Sequence, residues 1–138
     1  MTTADFIKEI TMSSASDYTE NLALKWLLTS DAATRPTAWY VSLYTTDPTD
    51  ADTGTEVSGG SYVRTSVAFT VTNDTATNTA TVTFPAATAN WGTISHVGIH
   101  DASSGGNLIF SGPVTTSKQI DSGDQFQISN GNLSITLA

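Results

Sequence analysis

Apolar and polar residues alternate in short runs along most of this chain, from residue 39 to its end. In residues 39–45, Trp39, Val41 and Leu43 fall on one side of an extended backbone and the residues between them on the other. Further runs of this kind span residues 62–72, 77–84, 94–100, 108–110, 114–120, 126–128 and 133–137. About eight strands at this spacing predict a mainly β fold, an antiparallel β-sandwich of jelly-roll type.

Residues 16–30 carry the pattern of an amphipathic α-helix. Asp17 can cap its start, and Glu20 three residues later completes a capping box. The broad apolar face comprises Tyr18, Leu22, Leu24, Trp26, Leu27 and Leu28. We expect this face to pack across an open end or face of a sheet. The alternative is that Trp26 and its neighbours dock onto another subunit.

The residues before the helix, 1–15, are predicted to form an N-terminal arm, which leaves residues 16–138 as a single domain. Apolar residues alternate with polar ones in the arm, as in a lone strand. Chain ends are often loose unless a partner binds them. We therefore take Phe6, Ile10 and Met12 as candidates for contact with a partner.

The composition fits one β-rich domain and excludes some functions. A chain of 138 residues is long enough for one core, and its abundant threonine suits strands. The net charge of −8 argues against binding to nucleic acid or to anionic membranes. Cysteine is absent, no signal-peptide pattern opens the sequence and no apolar run could span a bilayer, as expected of a chain made in a reducing cytoplasm.

Residues 43–64 form the most distinctive stretch of the sequence. A strand ends at Asp47-Pro48, because proline fixes its own backbone and restricts the residue before it. An acidic loop follows, and a new strand is predicted at Tyr62. Glycines at positions 54, 59 and 60 are expected to supply positive φ angles for the turns between them.

The acidic loop is the only segment that suggests a metal. Carboxylates on a flexible loop suit Ca²⁺, so Asp50, Asp52 and Glu56 are the candidate calcium ligands. Their spacing does not follow the EF-hand pattern. We therefore favour a solvated loop, with no metal and no other cofactor.

The histidines and aromatic residues offer two further hypotheses. His96 and His100 would lie about 13 Å apart on one strand, too far for one ion, so we place them on the less buried face of a sheet. Trp91, with Tyr40 and Tyr44, could stack on sugar rings. We favour instead that Trp91 closes the end of the sandwich beside Pro85.

No pattern of catalysis is visible in the sequence. A nucleophile elbow, a cysteine nucleophile and a phosphate-binding loop are all absent. The acidic residues fall mostly in turns, where water would keep them from acting as a desolvated acid–base pair. We predict that the protein is not an enzyme.

Two blocks of the sequence resemble a family of small virion structural proteins of tailed bacteriophages, of capsid-decoration or tail-fibre type. The first block is residues 43–64, with Asp47-Pro48 and Ser58-Gly59-Gly60. The second is residues 84–108, with Phe84-Pro85, Trp91-Gly92 and His96-Val97-Gly98-Ile99. The resemblance continues to the end of the chain and implies a structural role in the virion.

The resemblance leaves the position in the virion open. We favour a capsid decoration or cement protein that bridges capsomers, because the arm could lie over a neighbouring subunit and the chain lacks the repeats of a fibre shaft. Its partners would be the major capsid protein and its own copies, for example in a trimer. The alternatives are a tail, fibre or baseplate component that contacts tail proteins, or a carbohydrate-binding adsorption module.

Overall fold

The computed structural model describes residues 3–7, 10–12 and 14–137 of the chain. As predicted, these residues are mainly β with one short helix, α1 (Asp17–Leu28). The strands are β1 (Thr3–Ile7), β2 (Ile10–Met12), β3 (Ser14–Ala15), β4 (Tyr40–Tyr44), β5 (Thr65–Ser66), β6 (Phe69–Thr72), β7 (Thr75–Asn78), β8 (Val82–Thr83), β9 (Gly92–His100), β10 (Leu108–Ile120), β11 (Gln125–Ile128) and β12 (Leu133–Thr136). The described ranges thus hold more strands than the eight predicted.

The strands assemble into sheets of five, four and three strands. The five-stranded sheet has the order β3-β10-β9-β4-β5 and is antiparallel throughout. The four-stranded sheet has the order β2-β12-β7-β6, and the three-stranded sheet has the order β1-β11-β8. In these two sheets the N-terminal strands β1 and β2 run parallel to β11 and β12, which the alternation pattern did not predict.

Two predicted strands differ in the structure. The run at residues 62–72 is split into β5 and β6 because the chain changes sheets between them. Val67 N–H donates to the carbonyl of Trp39, just before β4, whereas the carbonyl of Ala68 accepts from Thr79 N–H, just after β7. The runs at residues 108–110 and 114–120 instead form one strand. Pro113 is accommodated there beside an irregularity in the pairing with β9.

A single hydrophobic core joins the three sheets. Strands of each sheet contribute fully buried side chains, among them Met12, Leu43 and Phe126. The fold around this core places β4 between β9 and β5 in the five-stranded sheet, with both of its faces buried. Val41 and Leu43 face the apolar core, as predicted, and Ser42 and Tyr44 are buried on the other face.

The predicted arm takes part in the sheets of its own chain. Ile10 and Met12 are buried in the core, where β2 pairs with β12, and β3 pairs with β10. These two side chains are therefore covered within one chain instead of being open to a partner. The side chain of Phe6 lies outside the described part of the structure.

The capping and the packing of helix α1 both differ from the prediction. Its cap is Ser16, not Asp17: the Ser16 hydroxyl accepts the Thr19 N–H, and Asp17 is the first helical residue. The helix buries none of its side chains, so it does not pack across a sheet as we expected. Among the described residues, no helix is long and apolar enough to cross a membrane.

Candidate functional site

The acidic loop between β4 and β5 folds tightly against its own start. Thr53 N–H donates to the Pro48 carbonyl, and Thr45 N–H donates to the Thr55 carbonyl. A Cβ atom at Gly54 would lie 2.6 Å from the Asp47 carbonyl oxygen. Gly54 is therefore required for this close approach and not, as predicted, for a positive φ. Gly59 and Gly60 do adopt positive φ angles, as predicted.

A buried polar network connects this loop to the five-stranded sheet. The Tyr44 hydroxyl donates to Asp52 Oδ1 at 2.6 Å, and His100 Nε2 lies 3.3 Å from Asp52 Oδ2. On the other side of the ring, His100 Nδ1 lies 2.8 Å from Ser42 Oγ. Because an ionised carboxylate only accepts hydrogen bonds, Nε2 carries the proton and Nδ1 accepts from the serine hydroxyl.

The pairing of β4 with β9 creates the space for this network. Ser42 lies opposite Gly98, with His100 two residues farther along the same face of β9. A Cβ atom at Gly98 would lie 2.8 Å from Ser42 Oγ and 2.8 Å from a Leu108 methyl group. The glycine thus leaves room for the Ser42 hydroxyl and for the Tyr44 ring. The Tyr44 ring stacks against His100, with the two ring centroids 6.2 Å apart.

A second polar cluster lies beside the first one. Glu56 receives two hydrogen bonds of 2.8 Å from Arg64, through Nε and Nη2, and one of 2.7 Å from the Tyr62 hydroxyl. Arg64 Nη1 also donates to the carbonyls of Ala102 and Gly105. The guanidinium thereby ties the acidic loop to the turn between β9 and β10.

Burial and charge shift the pKa values of these groups in directions that stabilise the network at neutral pH. Burial, and then the nearby Arg64 charge, lower the pKa of His100, so the ring is neutral. Burial raises the pKa of Glu56, but hydrogen bonds from Arg64 and Tyr62 outweigh it, and the net pKa is lowered. Burial and the bond to Asp52 raise the pKa of Tyr44.

The Ser42, His100 and Asp52 side chains contain the groups of a catalytic triad, but they are closed to substrate. Ser42 and His100 are both 0% exposed. A nucleophilic serine must reach the carbonyl carbon that it attacks. Among the described residues every buried polar side-chain atom has a hydrogen-bond partner. The contacts of Asp52 with Tyr44 and His100 hold the loop on the sheet.

The structure does not bring the candidate calcium ligands together. Asp52 is bound to Tyr44 and His100, Glu56 is bound to Arg64 and Tyr62, and Asp50 is exposed at the surface. The described part of the chain has no group of three acidic, histidine or cysteine side chains that could hold an ion. A calcium titration remains the direct test of that hypothesis.

The aromatic candidates for partner or sugar contact lie mostly inside the body. Trp91 is 4% exposed, its indole N–H donates to the Gly60 carbonyl, and its ring packs edge-on against Tyr62 and Phe84. Tyr44 is buried in the network. Of the three proposed sugar-stacking residues, only Tyr40 keeps part of its surface exposed.

Two features of the sequence would have revealed the network. The alternation places Ser42 and Tyr44 on one face of β4, and it places His100 on the same face of β9 as Gly98. We placed both histidines on a less buried face, which is wrong for His100. His96 is partly exposed, and its Nε2 lies 3.9 Å from Asp47.

Comparison with known proteins places most of the chain in one family. A family model described as "Podophage GP4 fiber I protein gp80" matches residues 14–136. This range begins at β3 and includes α1, the acidic loop, the polar network and all the later strands. No curated protein sequence matches the chain significantly.

Proposed function

Because the chain belongs to the family of the podophage GP4 fiber I protein gp80, we propose that it is a non-enzymatic, fibre-type component of a tailed-phage virion. The observation that carries this proposal is the family match, which extends over residues 14–136. The resemblance to phage structural proteins, seen in the two sequence blocks, agrees with this family.

The structure supports a role as a rigid building block. Its sheets share one core, and we propose that they pack as a sandwich of jelly-roll type. The acidic loop is held to the body by Arg64 and His100. A scaffold of this kind suits a particle component that must keep its shape outside the cell.

The fibre assignment replaces capsid decoration as the position that we favour. The argument for a capsid cement protein used an arm that lies over a neighbouring subunit. The described strands of that arm pair within their own chain. The family to which the chain belongs is named for a fibre protein. We propose tail proteins and further copies of this chain as partners, and we retain contact with the major capsid protein as the competing position.

The position can be tested on purified virions. Quantitative mass spectrometry would give the number of copies of this chain for each copy of the major capsid protein, which serves as the internal reference. A fibre component is expected in a small number of copies, and antibody labelling should mark the tail. Labelling over the whole head, with a copy number near that of the capsid protein, would support decoration instead. Absence from the particle would overturn the proposal of a virion role.

A further inference from the structure

The surface of α1 is unusually apolar for a helix that contacts so little of the body. Leu24, Trp26, Leu27 and Leu28 are 58%, 72%, 68% and 75% exposed. Trp26 alone therefore presents on the order of 150 Å² of surface. A helix of twelve residues is only marginally stable in water, and helices of this length normally depend on packing against another element.

The direction of α1 is fixed at its start. Ser16 N–H and the Thr19 hydroxyl both donate to the Ile109 carbonyl, and the Ser16 hydroxyl donates to the Leu108 carbonyl. The two residues of β3, immediately before the cap, pair with Phe110 and Ser111 of β10. These hydrogen bonds hold the first turn of α1 on β10, and the exposed apolar side chains follow farther along the helix.

The body has an apolar groove that this helix does not fill. The groove has a volume of about 410 Å³, and its lining includes Trp39, Phe69, Val71, Phe110, Ile135 and Leu137. None of the described residues that line it belongs to α1. Val71 and Leu137 are 69% and 59% exposed, so the groove is open to an incoming chain.

The spacing of the helix residues matches a groove of this kind. Leu24, Leu27 and Leu28 are separated by three and four positions and lie on one side of α1, which is the arrangement of helices that bind in apolar grooves. Each chain thus has one unpartnered helix and one unfilled groove. An arrangement in which every copy gives a helix and receives one would cover both surfaces.

We propose that α1 of one copy docks in the Trp39–Val71–Leu137 groove of a second copy. The inference is independent of the position of the protein in the virion, because it uses only surfaces of this chain. Each copy would bury its helix face and its groove, which brings the contact toward the roughly 800 Å² per partner of specific interfaces. If two copies exchange helices reciprocally, the contact is isologous and closes as a two-fold dimer, whereas a head-to-tail arrangement is heterologous and closes as a ring.

The test uses two variants that each remove one half of the contact. The helix variant carries Leu24→Ser and Leu28→Ser, and the groove variant carries Val71→Glu and Leu137→Glu. All four side chains are exposed, so both variants are expected to fold, which circular dichroism and thermal unfolding check. The matched controls are Lys25→Ser on the helix, away from the Leu24–Leu27–Leu28 side, and Thr72→Glu beside Val71, both at exposed positions.

Sedimentation velocity of the full chain measures the outcome. The wild type and both controls are expected to self-associate, and each variant is expected to weaken association by about thirtyfold or more, the effect of a hot-spot side chain. A mixture of the two variants retains one intact helix and one intact groove, so it should form a one-to-one heterodimer that grows no further.

Three results would overturn the proposal. A wild type that stays monomeric at every concentration would show that a second copy is not the occupant. Self-association that persists in the groove variant and is lost in the helix variant would show that the helices contact one another instead. Failure of the mixture to form a heterodimer, with both variants folded, would show that helix and groove do not meet.

Discussion

The acidic loop with its polar network and helix α1 are opposite cases within one small protein. The loop and its network contain charged and polar groups that sequence patterns usually assign to solvent, yet Ser42 and Tyr44 of β4 and His100 of β9 are buried and hydrogen-bonded. The helix has the apolar pattern usually assigned to a core, yet it contacts the body only through its first turns.

The difference separates a region whose side chains are satisfied within one chain from a region whose apolar side chains are left exposed. A buried polar group is costly unless it is paired, and the network pairs its groups within one chain. An exposed apolar face is costly until something covers it, and no described residue covers Trp26 or Leu28. Substitutions in the network should therefore act on folding, and substitutions in the helix should act on association.

Among the polar groups, the largest expected effect is at Arg64. Arg64→Met leaves the Glu56 carboxylate without its two guanidinium hydrogen bonds and releases the turn after β9. We expect the free energy of unfolding to fall by about 3 kcal/mol, as when one partner of a buried ion pair is removed. Chemical denaturation with urea measures it.

Arg35→Met is the matched control for this substitution. Arg35 is exposed in the segment after α1, and the same change there should cost less than about 0.5 kcal/mol. Equal losses in the two variants would contradict the assignment of Arg64 as the residue that holds the loop.

The next effect concerns His100. His100→Phe keeps a ring against Tyr44 but removes the partner of the buried Ser42 hydroxyl. We expect a loss of about 1–3 kcal/mol at neutral pH, because a buried donor is left unsatisfied. Thermal and urea unfolding at several pH values measure both this loss and its pH dependence.

The pH dependence has a definite sign. The pKa of His100 is lowered from 6.5 in the folded protein, so below that pH the unfolded chain binds a proton that the folded chain does not. Stability should therefore fall as the pH drops below about 6.5, and the His100→Phe variant should lose this part of the slope. His96→Gln is the control, and it keeps the slope if His100 is the source. An unchanged slope in His100→Phe would contradict the assignment.

A smaller effect is expected where the helix joins the body. Ser16→Ala removes the cap of α1 and the hydroxyl contacts with Leu108 and Thr19. The expected loss is about 1 kcal/mol, and part of it should appear as reduced helical signal in circular dichroism. Ser14→Ala, an exposed position on β3, is the control. A Ser16→Ala variant as stable and as helical as the control would mean that the cap does not hold the helix.

The strands and the helix followed from the sequence because local periodicity carries that information. The alternation located β4 and β9, and the apolar face located α1 almost to its ends. The pairing of β1 and β2 with the C-terminal strands did not follow, because contacts between distant segments leave no local pattern. The splitting of residues 62–72 was missed for the same reason, since the chain changes sheets there.

The site was harder to predict than the fold. Whether a polar residue is buried depends on its neighbours in space: Asp52 and His100 are 48 positions apart, and Gly98 makes room for the Ser42 hydroxyl that contacts His100. The apolar face of α1 was located correctly, but its periodicity does not say whether the covering surface belongs to the same chain or to another one. A sequence pattern shows that a helix face is apolar, but it does not identify the surface that covers this face.

The smallest expected effect on folding comes from the exposed tryptophan of the helix. Trp26→Ser should change the free energy of unfolding by less than about 0.5 kcal/mol when measured at a dilution where the chain is monomeric, because its ring is 72% exposed. Trp91→Ser is the matched control: its ring is 4% exposed and packed against Phe84, so the same change should cost about 3–5 kcal/mol. Urea unfolding of the two variants measures the contrast. If Trp26→Ser destabilised the monomer as much as Trp91→Ser, the helix face would be packed within its own chain, and the distinction between a completed body and an uncovered helix would fail.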